Sequence, residues 1–292
     1  MIGDAALLAC LAERWGLEDV RVEPHHGGMN SSTWFVTRPD ARWVAKAVAP
    51  EAARSFRGGL AVASALAGAG IAAGAPVSTS DGHVVTFADG VPLALLAWVP
   101  GDPLTRADQR LVAATLARVH RVLVSVQVDA SLVDMFHWVD PSAEHLGIHP
   151  WVRDRVSSAV SAFDVLDPGS LTWGMLHADP APEAFRYDGD ECGLIDWSVA
   201  LHGPLLYDLA SAVMYVGGPS SATELLSTYL EQGVLSESEV SRGLAVMLRF
   251  RWAVQADYFA RRLANGDLTG IADSEENEQG LEDARRALVG GW

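Results

Sequence analysis

Basic side chains are scarce in this 292-residue chain, and those present are almost all of one kind. Lys and Arg together number 21 against 37 Asp and Glu, for a formal charge of −16. That balance argues against nucleic acid or an anionic membrane as the main partner, since both are held by basic patches. It suits a cationic ligand. Cysteine occurs twice, at Cys10 and Cys192, too few for a disulfide framework or a Cys-rich zinc site. The apolar run 91–99 is far too short to span a bilayer. Met1-Ile2-Gly3-Asp4 offers no basic n-region, so no signal peptide is expected and a reducing cytoplasm is the default compartment. No Gly-x-Ser-x-Gly elbow, no Gly-x-x-x-x-Gly-Lys-Ser/Thr loop and no zinc motif among the nine histidines appears.

What is present is an ordinary globular balance, with 49% hydrophobic and 20% charged residues, which excludes wholesale disorder. The length suggests two packed lobes. Lys46 is the one lysine among the 21 basic side chains. In a background that places Arg everywhere else, it marks a position where a compact point charge is wanted instead of a planar fork, as at a phosphate.

Apolar spacing divides the chain into two regions. Residues 4–15 have helical periodicity, followed by strand patterns at 20–23, 33–37 and 43–48. A helix pattern at 52–69 follows, then strand patterns at 83–87 and 93–99 about a turn at Asp89-Gly90. Beyond Pro100-Gly101 the periodicity is helical at 107–124, 151–163, 205–216, 222–231, 236–262 and 281–288. One hairpin-like piece, 183–197, interrupts it with a turn at Asp188-Gly189-Asp190. The expectation is an α+β chain: a small antiparallel-sheet lobe at 1–99 and a larger, mostly helical lobe at 100–292.

Residues 177–208 carry the chemistry. They contain His177-Ala178-Asp179, then Gly193-Leu194-Ile195-Asp196-Trp197, then Tyr207-Asp208-Leu209-Ala210. A His-x-Asp loop followed by a hairpin that delivers a second Asp is how kinase-like phosphotransferases arrange two carboxylates. One orients the attacking hydroxyl and the other holds Mg²⁺ against the phosphates.

With these motifs the chain resembles the aminoglycoside phosphotransferase family, a branch of the protein-kinase-like fold that includes choline-kinase-like and homoserine-kinase-like enzymes. Gly27-Gly28-Met29-Asn30-Ser31 is similar to the family's phosphate-covering loop, with Gly28, Asn30, Ser31 and Ser32 as phosphate contacts. Trp43-Val44-Ala45-Lys46 resembles the strand bearing the phosphate-binding Lys. Leu95-Leu96-Ala97-Trp98-Val99-Pro100-Gly101 resembles the hinge, with Trp98 and Val99 offering backbone groups to the base. Leu116-Ala117-Arg118-Val119-His120 is similar to the large lobe's Leu-Ala-x-x-His segment.

The resemblance implies Asp179 as catalytic base and Asp196 as Mg²⁺ ligand, with His177 and Asp208 supporting the catalytic loop. Asp208 could equally cap a helix. It implies ATP or GTP as co-substrate, Mg²⁺ as cofactor and a small-molecule acceptor. A cationic antibiotic would give resistance; the alternatives are a primary metabolite, or a nucleotide-binding regulator without catalysis. Two departures stand out. Ala184 occupies the place of the family's second metal ligand, an Asn, so Glu183 is the candidate substitute. The helix Glu that partners the Lys is replaced by Gly58-Gly59, and Glu51 is a weak stand-in. Acceptor-pocket candidates are Asp134, Asp140, Glu144 and the acidic cluster from Asp273 to Asp283, with Trp138, Trp151, Tyr258 and Phe259 as stacking candidates.

Overall fold

A computed structural model of the chain describes residues 2–25, 31–136 and 139–290. The residues fall into two compact units. One comprises 1–102 with 127–134 and 186–200; the other comprises 103–126, 135–185 and 201–292.

The first unit opens with α1 (Asp4–Trp15), ended by Gly16 in the left-handed conformation. Strands β1 (Arg21–His25), β2 (Ser31–Arg38) and β3 (Ala41–Val48) follow, then α2 (Ala53–Gly68), β4 (Pro76–Val77), β5 (Thr86–Ala88) and β6 (Val91–Ala97). The sheet runs β1-β2-β3-β6-β4, with β5 also on β6, and its pairings are antiparallel. Asp89 and Gly90 both take positive φ, 50° and 78°. That geometry matches strand twist in a two-residue hairpin loop and pins Ala88 opposite Val91.

Side chains alternate across a strand, so β3 serves two cores. Ala45 and Ala47 join Trp34, Val36, Leu93 and Leu95 under Leu7 and Leu11 of α1. Val48 joins Phe56 and Leu60 of α2 with Val85 and Ala94. Lys46 shares the α2 side, opposite Ala94 on β6 and Thr33 on β2. Beyond the two-residue β7 (Asp102–Pro103), a further hairpin, β10 (Phe185–Tyr187) and β11 (Cys192–Leu194), turns at Asp188, whose Oδ1 accepts the N–H groups of Asp190 and Glu191 at 3.0 and 2.8 Å.

After α3 (Gln109–Leu123) and the two-residue β8 (Asp134–Met135), the second unit holds α4 (Pro150–Val165), β9 (Trp173–Leu176), β12 (Leu201–Pro204), α5 (Leu206–Tyr215), α6 (Thr223–Glu231), α7 (Glu237–Asn265) and α8 (Glu275–Gly290). Strands β9 and β12 pair antiparallel, Leu201 opposite Leu176 and Pro204 opposite Trp173. Neither strand is marked by the sequence periodicity. The core centres on aromatic rings: Phe136 lies 5.0 Å from both Phe163 and Tyr207 and 4.9 Å from Phe250. Ser236 caps α7, accepting the Glu239 N–H at 3.1 Å. Helix α8 starts six residues before the apolar pattern does, because Glu275, Glu276 and Glu278 occupy its first turn, where the helix dipole favours negative charge. Among the described residues no helix is long and apolar enough to cross a membrane.

Gly58 and Gly59 have a steric reason. A Cβ on Gly59 would lie 1.9 Å from the Trp197 carbonyl oxygen, and one on Gly58 would lie 2.4 Å from that of Leu132. The backbone around Asp196 therefore rests directly on α2. Gly59→Ala is expected to cost about 1–3 kcal/mol, as overpacking against backbone that cannot yield does. At exposed Gly68, a Cβ meets nothing within 4 Å, so Gly68→Ala should leave stability unchanged or raise it slightly. Urea denaturation of both variants checks the contrast.

Candidate active site

The loop that carries Asp179 is fixed from behind by buried polar groups. Glu239 of α7 accepts the Thr172 N–H and the Thr172 hydroxyl, both at 2.8 Å, setting the start of β9. Where β9 ends, fully buried Asp208 accepts two successive backbone N–H groups: His177 at 2.7 Å and Ala178 at 2.8 Å. Its third partner is His120 Nε2 at 3.2 Å, and His120 Nδ1 is 2.7 Å from the Tyr229 hydroxyl. Burial, then the nearby Asp208 charge, pushes the Tyr229 phenol well above its ordinary pKa. It therefore stays protonated and donates to His120, leaving Nε2–H to face Asp208.

A carboxylate taken out of water needs such donors. Asp208 lies in the first turn of α5 but makes no capping bond there; its oxygens go to the 177–178 loop instead. Ala178 sits at φ 70°, a left-handed conformation costing an L-residue about 1–2 kcal/mol, which the Asp208 bond to its N–H helps offset.

Asp179 projects from this loop with its side chain 48% exposed. Its Oδ1 accepts from the Tyr215 hydroxyl and from Arg251 Nη2, the latter at 2.9 Å. Arg251, buried on α7, also bonds Ser211 Oγ through Nε at 3.2 Å and the Tyr215 oxygen through Nη2 at 3.3 Å. Buried His177 accepts the Asp179 N–H on Nδ1 at 3.3 Å. Burial raises the Tyr215 pKa far above its usual value, opposed by Arg251 and reinforced by Asp179, so Tyr215 remains a donor. Sequence reading missed both Tyr215 and Arg251. The signal available was Asp208-x-x-Ser211-x-x-x-Tyr215, a polar stripe at helical spacing on the otherwise apolar α5.

Glu183 lies exposed in the short turn Pro182–Ala184, while the Ala184 side chain is buried and offers no ligand atom.

In the first unit, the buried Lys46 ammonium pairs with Asp196 and lies 3.4 Å from Ser198 Oγ. The Ser198 hydroxyl donates to Asp196 Oδ1 at 2.7 Å. Asp196 is held at φ 69° with 56% of its side chain exposed. Its carboxylate thus answers the Lys46 ammonium. Glu51 is exposed in the turn before α2 and makes no such pair.

Ser31 pairs with Val48, on the Lys46 side of the sheet, whereas Ser32 pairs with Ala47 on the α1 side. Gly28 and Asn30 lie outside the described residues. Trp98 and Val99 follow β6. The Trp98 ring meets Phe35 edge-on at 5.5 Å and lies under the Arg42 guanidinium at 5.9 Å.

Of the acceptor-pocket candidates, Asp134 pairs with Arg54, and Asp140 accepts the Ser142 N–H and hydroxyl at 2.8 and 2.6 Å. Glu282 pairs with Arg285 at 2.6 Å, and Phe259 packs on Gly280 of α8. Trp138 lies outside the described residues. Among the described residues no three His, Cys, Asp or Glu side chains gather to hold a metal. Asp196 and Glu183 are hard oxygen donors on exposed positions. Each is the kind of donor that Mg²⁺ takes, since that ion binds one or two carboxylates together with substrate phosphates and not an all-protein cage.

Replacing Asp208 by Ala strands two backbone donors and His120, so a loss of about 3–5 kcal/mol is expected by denaturant titration. Ala178→Gly relieves the left-handed strain and should add about 1 kcal/mol.

Residues 21–242 match the phosphotransferase enzyme family, APH. A homoserine kinase of Methylobacillus flagellatus is 29% identical over 194 residues, covering 64% of this chain and 60% of that protein. The chain thus spans about 60% of the length of the curated relatives it matches. Among solved structures, an amicoumacin kinase in complex with AMP-PNP and Ca²⁺ superposes with a TM-score of 0.73 at 16% identity, covering 98% of this chain and 92% of that one. A microcompartment-associated aminopropanol kinase gives 0.71 at 14% identity, covering 97% and 94%. These neighbours share the expected α+β, protein-kinase-like fold. With the family matched across three quarters of its length, the chain belongs to the APH phosphotransferase enzyme family.

Proposed function

We propose that the chain transfers the γ-phosphate of ATP or GTP to a hydroxyl of a small, amine-bearing molecule. The observation that carries this reading is the half-exposed Asp179 carboxylate, held on a loop whose backbone is bonded to a buried carboxylate. Asp179 would take the hydrogen bond of the acceptor hydroxyl. As that oxygen forms its bond to the γ-phosphorus, the bond from phosphorus to the β-bridging oxygen breaks. The nucleoside diphosphate leaves with the bonding pair, and the hydroxyl proton passes to Asp179. Lys46 would exchange its carboxylate partner for nucleotide phosphate, and Ser31 shares its side of the sheet. Asp196, with Glu183, would hold Mg²⁺, which when bound neutralises phosphate charge. Catalysis would come from positioning and charge neutralisation.

The amine in the acceptor is supported by the net charge of −16 and by the homoserine and aminopropanol kinases among the similar proteins. Several homoserine kinases among the sequence relatives favour a small hydroxy amino acid or amino alcohol. A cationic antibiotic is the second reading, supported by the charge and by the amicoumacin kinase neighbour. Either reaction belongs in a nucleotide-containing cytoplasm.

Coupled nucleotide turnover with Mg²⁺ tests the reading, using homoserine, aminopropanol, choline, aminoglycosides and basic peptides as acceptors. Acceptor-dependent turnover is expected, falling about 100-fold or more in Asp179→Asn, the usual worth of a positioned base. Lys46→Ala should weaken nucleotide binding in the same assay. Nucleotide binding without turnover on any acceptor favours the regulator reading, and no nucleotide binding at all overturns the proposal.

A further inference from the structure

The two groups that hold Asp179 both act on one of its oxygens. The Tyr215 hydroxyl and Arg251 Nη2 converge on Oδ1, and Oδ2 takes no hydrogen bond among the described residues. Arg251 is in turn fixed by Ser211 Oγ through Nε, and it touches the Tyr215 oxygen. Ser211 and Tyr215 lie on the face of α5 that also bears Asp208. One helix face therefore supports the loop backbone at 177–178 and aims the loop's carboxylate.

We infer that Tyr215 and Arg251 are positioning residues for phosphoryl transfer: by occupying Oδ1 of Asp179 they fix its χ angles and dedicate Oδ2 to the acceptor hydroxyl. This rests on the reading of Asp179 given above and deepens it.

Three physical points carry the inference. A carboxylate with half its surface in water rotates about χ2 at little cost, because that torsion is broad and two-fold. Two donors on one oxygen remove the freedom, and a misoriented base loses rate steeply. Next, Arg251 is 7% exposed, and burying a guanidinium is expensive unless the charge is answered. A partner chosen for stability alone would be as buried as Arg251, yet its carboxylate is Asp179, 48% exposed. Finally, the Tyr215 phenol stays neutral through burial, so it donates to Oδ1 and cannot compete for the acceptor's proton.

Tyr215→Phe removes one hydroxyl and keeps the ring, so it is the first variant to make. The expected result is a kcat about tenfold lower, with nucleotide and acceptor KM and melting temperature unchanged. Arg251→Met, should it fold, is expected to lose more, and Arg251→Lys to recover part of the difference by restoring the cation. A Tyr215→Phe enzyme with wild-type kcat overturns the inference while leaving the phosphotransferase reading intact. So does a kcat that falls only in step with the melting temperature, which marks a purely structural contact. Absence of turnover by the parent chain on every acceptor overturns both.

Discussion

Much of the candidate site depends on one buried carboxylate. Asp208 accepts the N–H groups of His177 and Ala178 and the imidazole of His120. In doing so it ties α5 to the end of β9, to α3 and, through His120, to Tyr229 of α6. The backbone it holds is strained: Ala178 lies in the left-handed region. Strain of this kind persists only where surrounding structure over-determines it, and three hydrogen bonds to a charge in a low-dielectric interior do so. Asp179 inherits its position from that arrangement, and α5 contributes again one turn further on through Ser211 and two turns on through Tyr215.

A second electrostatic arrangement stands in the first unit. Lys46 is buried and its partner Asp196 is exposed, so the pair is open on the carboxylate side. The family pattern places a helix glutamate beside this lysine, whereas α2 has Gly58 and Gly59. Gly59 lets the 197–198 backbone rest against the helix and Gly58 does the same for Leu132, while Asp196 itself answers the ammonium. The missing Asn at Ala184 has no comparable compensation within its own turn, where Glu183 is the remaining oxygen donor.

The sequence was most informative where a residue type has a single physical use. The lone Lys46 among arginines, the Asp89-Gly90 turn and the helical periodicity of α3, α5 and α7 all express local rules: charge shape, allowed φ and apolar spacing. Strands β9 and β12 were not legible, because four-residue segments buried on both sides carry no alternation. The early start of α8 was missed because its first turn is acidic and answers to the helix dipole instead of to the core.

By itself, then, the sequence determined the class of fold, the order of its long helices and of the first unit's main strands, and the two aspartates around which the chemistry is proposed. These depend on periodicity and on motifs whose spacing is fixed along the chain. Only the tertiary structure decided that Asp208 serves the 177–178 backbone instead of its own helix. It alone put Asp196 beside Lys46 and placed Tyr215 and Arg251 on one oxygen of Asp179. Those facts join residues 30 to 150 positions apart, and hydrogen bonds across such separations are set by how packed surfaces meet, which no local pattern encodes.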